Sequence, residues 1–224
     1  MERRLGISSR GLSAFPRSPE KATKTPSAYM AESRHIVVTR ENRARYLQDE
    51  VTRRVGGSFS FLDIGGSNFF RFCQQNGHAY TSLDLPRPMA VGDGGWYKKD
   101  FTITYDGRNF PFKKGTTFDV INMGFMLHHA SQNTMEILKQ VKVLRPKLVI
   151  VGEDLLDLDH SLKWMERCYQ HQPGGMFRSD REWVQLFRLL GFRLLKTVVI
   201  SRPQEDSLYG NPDLWYRAMY FLSL

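Results

Sequence analysis

Apolar and polar residues follow one another along this chain in two periods, and the points where the period changes mark the predicted elements. From Arg40 to Arg54, Ala44, Leu47 and Val51 recur at helical spacing while Arg and Glu cover the other face. Thr39 is placed to cap that helix, and Gly56 and Gly57 to end it. Short apolar runs rich in β-formers follow: "SFSFLDI" (58–64), a short helix over about 68 to 75, and "AYTSLDL" (79–85). A loop holding Pro86, Pro88, Gly92, Gly94 and Gly95 leads to a short strand around Trp96 to Phe101. "FTITYDGRNFPF" (101–112) alternates about Asp106-Gly107, which predicts a small hairpin at the edge of the fold. "FDVINMGFML" (118–127) is a buried strand, followed by a helix from Ser131 to Leu144 with Met135, Leu138, Val141 and Leu144 as its stripe.

The chain continues with the strand "KLVIVGED" (147–154) and helices over about 161–169 and 180–190, the second capped by Ser179 or Asp180 and stopped by Gly191. "FRLLKTVVIS" (192–201) and "WYRAMYFLSL" (215–224) are joined by a short polar turn, so they are expected to pair antiparallel. Strand alternating with helix predicts an α/β fold: a mostly parallel seven-stranded sheet, helices on both faces, and an antiparallel C-terminal hairpin. No internal repeat is found.

Composition sharpens this in two ways. With 224 residues, 41% of them hydrophobic, the chain can bury one substantial core, and no apolar run approaches the roughly 20 residues that cross a bilayer. The net charge of +9 is concentrated early: residues 1 to 54 hold 12 Lys or Arg against 6 acids, a net +6, which leaves +3 for the other 170 residues. Residues 1–35 are read as a basic N-terminal tail or targeting segment and 36–224 as the folded domain. Three readings of the first thirty residues stay open: a solvated tail, a mitochondrial transit peptide carried by Arg3, Arg4, Arg10 and Arg17 with Ser8, Ser9 and Ser13, or an arm that touches RNA. Cys73 and Cys168 are too few for a disulfide scaffold and too far apart for a short metal motif, so a reducing, cytoplasmic setting is expected, or the mitochondrial matrix if the segment is a transit peptide.

In an open parallel sheet the ligand lies beyond the carboxyl ends of the strands. There the sequence places Asp63 to Phe69, Asp84, Asp100, Asn122 to His129, and Glu153-Asp154. Asp84 lies 19 residues after Gly65, a spacing suited to a ribose diol, so a nicotinamide dinucleotide has to be weighed. Against it, the third and sixth positions from Gly65 are Ser67 and Phe70, not glycine. Asp63 would repel a pyrophosphate but stabilise the ammonium of an amino-acid-like ligand, so it is expected to face a cation. Glu153, Asp154, Asp157 and Asp159 read as a solvated acidic rim. Trp96, Tyr97, Trp164, Met165, Tyr169 and Met176 are candidates for an apolar substrate pocket.

From about residue 40 onward the ordered set "FLDIGG", Asp84, "YKKDF", "FDVINMGFMLHHA" and "FRSDREWVQLFRLLGFRLLKT" resembles the class I S-adenosylmethionine-dependent methyltransferases. The resemblance implies a Rossmann-like fold and S-adenosyl-L-methionine as cofactor. It implies that Asp63, Gly65, Gly66 and Ser67 wrap the methionine half, Asp84 binds the ribose, Asp100 contacts adenine, and Asn122 and Met123 line the site. His128 and His129 fall beside the expected methyl, where either could act as base. The family's third loop glycine is Phe69 here, whose ring is expected to pack under the following helix, wall the pocket or fill it.

Residues that are missing narrow the chemistry. "NMGF" lacks the Pro-Pro of DNA amino-group methylation, a Pro-Cys nucleophile for cytosine is absent, the ribose-methylating tetrad lacks its acid, and no carboxylate cluster serves a catechol-type metal. The expectation is an active methyltransferase acting on oxygen or nitrogen of a small or lipid-like molecule. The alternatives are an RNA methyltransferase using the basic segment and a non-catalytic binding or assembly module of the same fold.

Overall fold

The computed structural model describes residues 36–66, 69–86, 101–155, 174–201 and 217–224. The elements run β1 (Ile36–Thr39), α1 (Arg40–Val55), β2 (Ser60–Ile64), α2 (Phe70–Gln75), β3 (Ala79–Asp84), β4 (Thr102–Thr104), β5 (Val120–Gly124), α3 (Leu127–Ala130), a 3-10 turn (Ser131–Asn133), α4 (Thr134–Val143), β6 (Leu148–Asp154), α5 (Asp180–Leu189), β7 (Arg193–Ser201) and β8 (Arg217–Ser223).

The strands form one sheet in the order β1-β7-β8-β6-β5-β2-β3-β4, with β8 antiparallel to both β6 and β7 and every other pairing parallel. Seven of these make the expected mostly parallel sheet with its closing antiparallel pair, although β4 falls at Thr102–Thr104, beyond the strand expected around 96–101. The eighth, β1, adds to the free edge of β7 through the short β-branched run "IVVT". From β2 the chain winds outward through β3 to β4, then returns to β5 on the other side. This reversal opens a crevice between the carboxyl ends of β2 and β5.

Period-2 alternation sends successive side chains to opposite faces. Leu62, Ile121 and Val149 bury against Ile137, Leu138 and Val141 of α4 and Trp183 and Phe187 of α5. Phe61, Val120 and Ile150 bury against Leu47 and Val51 of α1 and Phe72 and Cys73 of α2. Each such side chain contributes about 1.5–3 kcal/mol. A capping box between Ser179 and Glu182 starts α5, as its sequence suggests.

Two expectations are corrected. "FTITYDGRNFPF" is not a hairpin: β4 pairs parallel with β3, and the Asp106 carboxylate accepts the amides of Arg108 and Asn109 at 2.8 and 2.6 Å to close a local turn at Gly107 (φ +80°). Tyr105, Phe110, Phe112 and Phe118 then form a chain of edge-on rings into the core, so their alternation serves burial and not pairing. The helix after β5 starts early, at Leu127, breaks at Ser131 (φ +48°) and resumes at Thr134. That break shifts its phase: Ile137, Leu138 and Val141 are buried, while Met135 is 47% exposed. The strand expected at 96–101 and the helix expected at 161–169 fall, except for Phe101, outside the described residues, and Phe101 itself precedes β4.

Candidate functional site

The site begins where β2 runs out. Gly65 turns the chain with φ +76°, and a Cβ on it would lie 2.9 Å from Met126 Cβ, so loop and post-β5 segment approach here as only glycine permits. The Gly65 amide donates to the Leu83 carbonyl at 2.8 Å, and Ser82 Oγ donates to the Gly66 carbonyl at 3.0 Å, tying the loop to β3. Ser67 and Asp100 lie outside the described residues.

Asp63 is fully buried, and its carboxylate is engaged by the protein itself. Oδ1 accepts from Asn122 Nδ2 at 2.7 Å, and Oδ2 accepts from Tyr80 Oη at 3.2 Å and the Phe69 amide at 3.3 Å. This corrects the expectation that Asp63 turns toward a ligand cation: β2 and β5 place Asp63 and Asn122 opposite each other, and the short cross-strand bond takes the carboxylate. Burial and the Asp63 charge together push the Tyr80 phenol well above its usual range, so it stays a donor.

The consequence falls on Asn122. Its amide nitrogen is committed to Asp63, and its Oδ1 is buried with no hydrogen-bond partner among the described residues. Asn122 and Gly124 also border a cavity of about 90 Å³, walled by Phe69, Phe125 and Met219 and covered by Arg43, Ala44, Leu47 and Gln48 of α1. Phe69 is 3% exposed, with its ring stacked on Phe61 at 4.7 Å and edge-on to Phe72 at 6.2 Å. It packs into the core beneath the loop and gives one edge to the cavity wall.

Phe125 has φ +58°, a left-handed conformation that costs a non-glycine residue about 1–2 kcal/mol. Its amide donates to the Gly152 carbonyl at 2.7 Å, and the guanidinium groups of Arg43 and Arg217 lie over its ring at 5.3 and 4.6 Å. Arg217 is in turn paired with Asp154.

Among the other expected residues, Asp84 ends β3 half-buried, its Oδ1 accepting the Leu85 amide at 2.8 Å. Met123 is corrected: β alternation sends its side chain into the core on the far face, under α4 and α5, leaving only its backbone near the crevice. His128 and His129 separate. His128 is buried, while His129 is on the surface with its basicity lowered by partial burial and by the His128 charge. The acidic rim is also corrected: Glu153 and Asp154 are 0% and 5% exposed, Glu153 meeting His128 and Asp154 meeting Arg217. β6 carries them inward because it stays paired with β8 through Glu153 and Asp154, two residues past the end of its pairing with β5 at Gly152. Asp157, Asp159 and most of the proposed apolar pocket lie outside the described residues, and Met176 is exposed. Among the described residues no group of His, Cys, Asp and Glu could hold a metal ion, and no helix is long and apolar enough to cross a membrane.

Sequence reasoning missed Arg43, Tyr80 and the role of Glu153. Arg43 was within reach, because it lies four residues before Leu47 on the buried face of α1. Tyr80 and Glu153 gave no local signal, since each acts across a strand pairing.

No protein-family model matches the chain, and no curated protein sequence matches it. Solved structures do. A SAM dependent methyltransferase from Archaeoglobus fulgidus matches at TM-score 0.55 with 13% identity, covering 82% of this chain and 97% of that one. The chain has the class I S-adenosylmethionine-dependent methyltransferase fold. The [4+2]-cyclase SpnF shares that fold with it at TM-score 0.52 and 16% identity, covering 83% of this chain and 82% of that one. LepI in complex with SAM matches at TM-score 0.52 and 16% identity, over 75% of this chain and 43% of that one. The same fold thus carries more than one reaction among these structures.

Proposed function

We propose that this chain is an S-adenosylmethionine-dependent methyltransferase that methylates oxygen or nitrogen of a small or lipid-like molecule. The observation that carries the reading is the unpartnered, buried Oδ1 of Asn122 at a cavity that Arg43 also borders. An acceptor and a guanidinium at one small cavity complement the ammonium and carboxylate of an α-amino acid. The volume of about 90 Å³ suits that headgroup and not a whole nucleoside. The residues fit the cofactor's methionine end in this way, and the cofactor supplies an electrophilic methyl group when bound.

The chain's own groups then divide the work. Asp63 and Tyr80 hold Asn122 in the orientation that presents Oδ1. Gly65 keeps the loop low enough for close approach, and Phe69 and Phe125 keep water from the polar pair. Asp84, at the end of β3, is assigned the ribose, and His128 the proton of the acceptor.

Calorimetry tests this with S-adenosylmethionine, S-adenosylhomocysteine and adenosine. Asn122→Ala and Arg43→Ala are each expected to weaken binding of both amino-acid-bearing ligands at least tenfold, about 1.4 kcal/mol or more, and to leave adenosine unchanged. No heat with either cofactor form in the unaltered protein overturns the reading. Equal loss for adenosine overturns the placement of the headgroup.

A further inference from the structure

Beyond the cofactor cavity, a second group stands at the carboxyl ends of the strands. His128 follows β5 and Glu153 is the next-to-last residue of β6, on neighbouring parallel strands, with side chains 1% and 0% exposed. His128 Nδ1 lies 2.6 Å from Glu153 Oε2, and Glu153 Oε1 accepts the Leu127 amide at 2.8 Å. Glu153 Oε1 thus faces an N–H group and Oε2 a ring nitrogen, which suits an ionised carboxylate when Nδ1 carries the ring's proton. The ring is held on its other sides as well: it stacks on Phe177 at 5.0 Å and abuts His129 at 4.1 Å, and the His128 carbonyl accepts the Met176 amide at 2.7 Å.

Only Nε2 is left over. It is buried with no hydrogen-bond partner among the described residues, a condition that costs about 1–3 kcal/mol. An orphan nitrogen on a ring so firmly oriented points to a partner that arrives from outside.

Resting on the methyl-transfer reading above, we propose that Glu153 is a positioning residue that holds His128 as the Nδ1–H tautomer, so that its Nε2 lone pair takes the proton of a hydroxyl-bearing methyl acceptor. The acceptor's O–H bond breaks and an N–H bond forms on Nε2. The oxygen's electron pair bonds the methyl carbon of the sulfonium cofactor, whose sulfur keeps the electrons of the bond lost. The imidazolium so formed lies against the Glu153 carboxylate and later yields its proton to water. Burial holds the Glu153 carboxyl above its usual range and Asp154 adds to the rise, while the His128 bond, the charge of that ring once protonated and the Leu127 amide oppose it. Among the described residues, Arg178 feels the Glu153 charge and His129 the His128 charge.

Nitrogen-15 NMR of histidine-labelled protein tests the tautomer, with Glu153→Gln and Glu153→Asp beside the unaltered chain. The expected result is a proton on Nδ1 and none on Nε2 of His128, converted to mixed tautomers by Glu153→Gln and restored in part by Glu153→Asp. A proton on Nε2 in the unaltered protein, the signature of a neutral Glu153 donating to Nδ1, overturns the proposal. A purely structural pair is separated by a second readout, using S-adenosylhomocysteine with 4-nitrophenol as the hydroxyl probe. Wild type is expected to ionise bound nitrophenol at least tenfold more than Glu153→Gln, seen in the nitrophenolate absorption band. Equal ionisation in the two proteins, or no uptake of the phenol, overturns the proposal. Calorimetry of Glu153→Gln with S-adenosylmethionine is expected to match wild type. Absent cofactor binding in wild type refutes the methyl-transfer reading, whereas the tautomer result stands or falls separately.

Discussion

Replacing Gly65 by alanine tests whether the first glycine of the loop is there for contact, for conformation or for neither. The residue sits at φ +76°, where any side chain costs about 1–2 kcal/mol. The new Cβ would also meet Met126 Cβ at 2.9 Å and Cγ at 3.1 Å. Real Cβ atoms do not tolerate the first distance, so the Met126 segment must shift, at a further cost of about 1–3 kcal/mol. The sum is roughly 3 kcal/mol, and at about 2–4 °C per kcal/mol for a domain of this size the melting temperature should fall by about 6–12 °C. Because that segment also carries Phe125, a wall of the cavity, S-adenosylmethionine affinity should drop at least tenfold. Thermal unfolding and calorimetry on Gly65→Ala, Met126→Gly and the double variant separate the terms. Met126→Gly removes the colliding atoms and leaves φ untouched, so the double variant should recover about 1–2 kcal/mol of coupling. A melting temperature within about 2 °C of wild type for Gly65→Ala, or strict additivity in the double variant, refutes the reasoning.

Two further outcomes follow from the face of the sheet under α1. Glu50 accepts from Arg53 at 2.7 Å and from Arg54 and Lys196 at 2.8 Å; burial alone would raise its carboxyl, but these bonds hold it at about 2. Its folded value lies below the unfolded one, so the stabilisation, roughly 2–3 kcal/mol, is present above the ordinary carboxylate range and lost as pH falls toward 2. Urea unfolding should show Glu50→Gln less stable than wild type at pH 6 and the two converging near pH 2.5, and a gap that does not narrow with acid refutes this. Phe69→Ala should cost about 3 kcal/mol by removing the ring stacked on Phe61 and edge-on to Phe72, while cofactor affinity changes less than tenfold. An affinity gain of tenfold or more would mean that the ring obstructs the ligand, against the packing described above.

The succession of β2, β3, β5, β6, β7 and β8 was legible in the sequence because it rests on local terms: apolar runs of strand length, helical stripes between them, and turn residues at the joints. The run "FLDIGG" followed by Asp84 could be read in the same way, since a loop after a first parallel strand lands at the crevice whatever surrounds it. Hairpin and helix phase were misread at Asp106-Gly107 and Ser131 because turn chemistry gives the bend and not the partner of the strand beyond it. What the sequence by itself determined is the fold class, the closing antiparallel pair and the strip of residues at the strand ends. Tertiary structure alone decided what those residues face. Pairing of β2 with β5 sets Asp63 against Asn122 and so moves the open acceptor from the carboxylate to the amide. Pairing of β5 with β6 brings Glu153 under His128 from 25 residues away and makes a buried pair of what reads as a solvated acid. Both are contacts between distant segments, whose partners are chosen by sheet register and desolvation and leave no trace in local pattern.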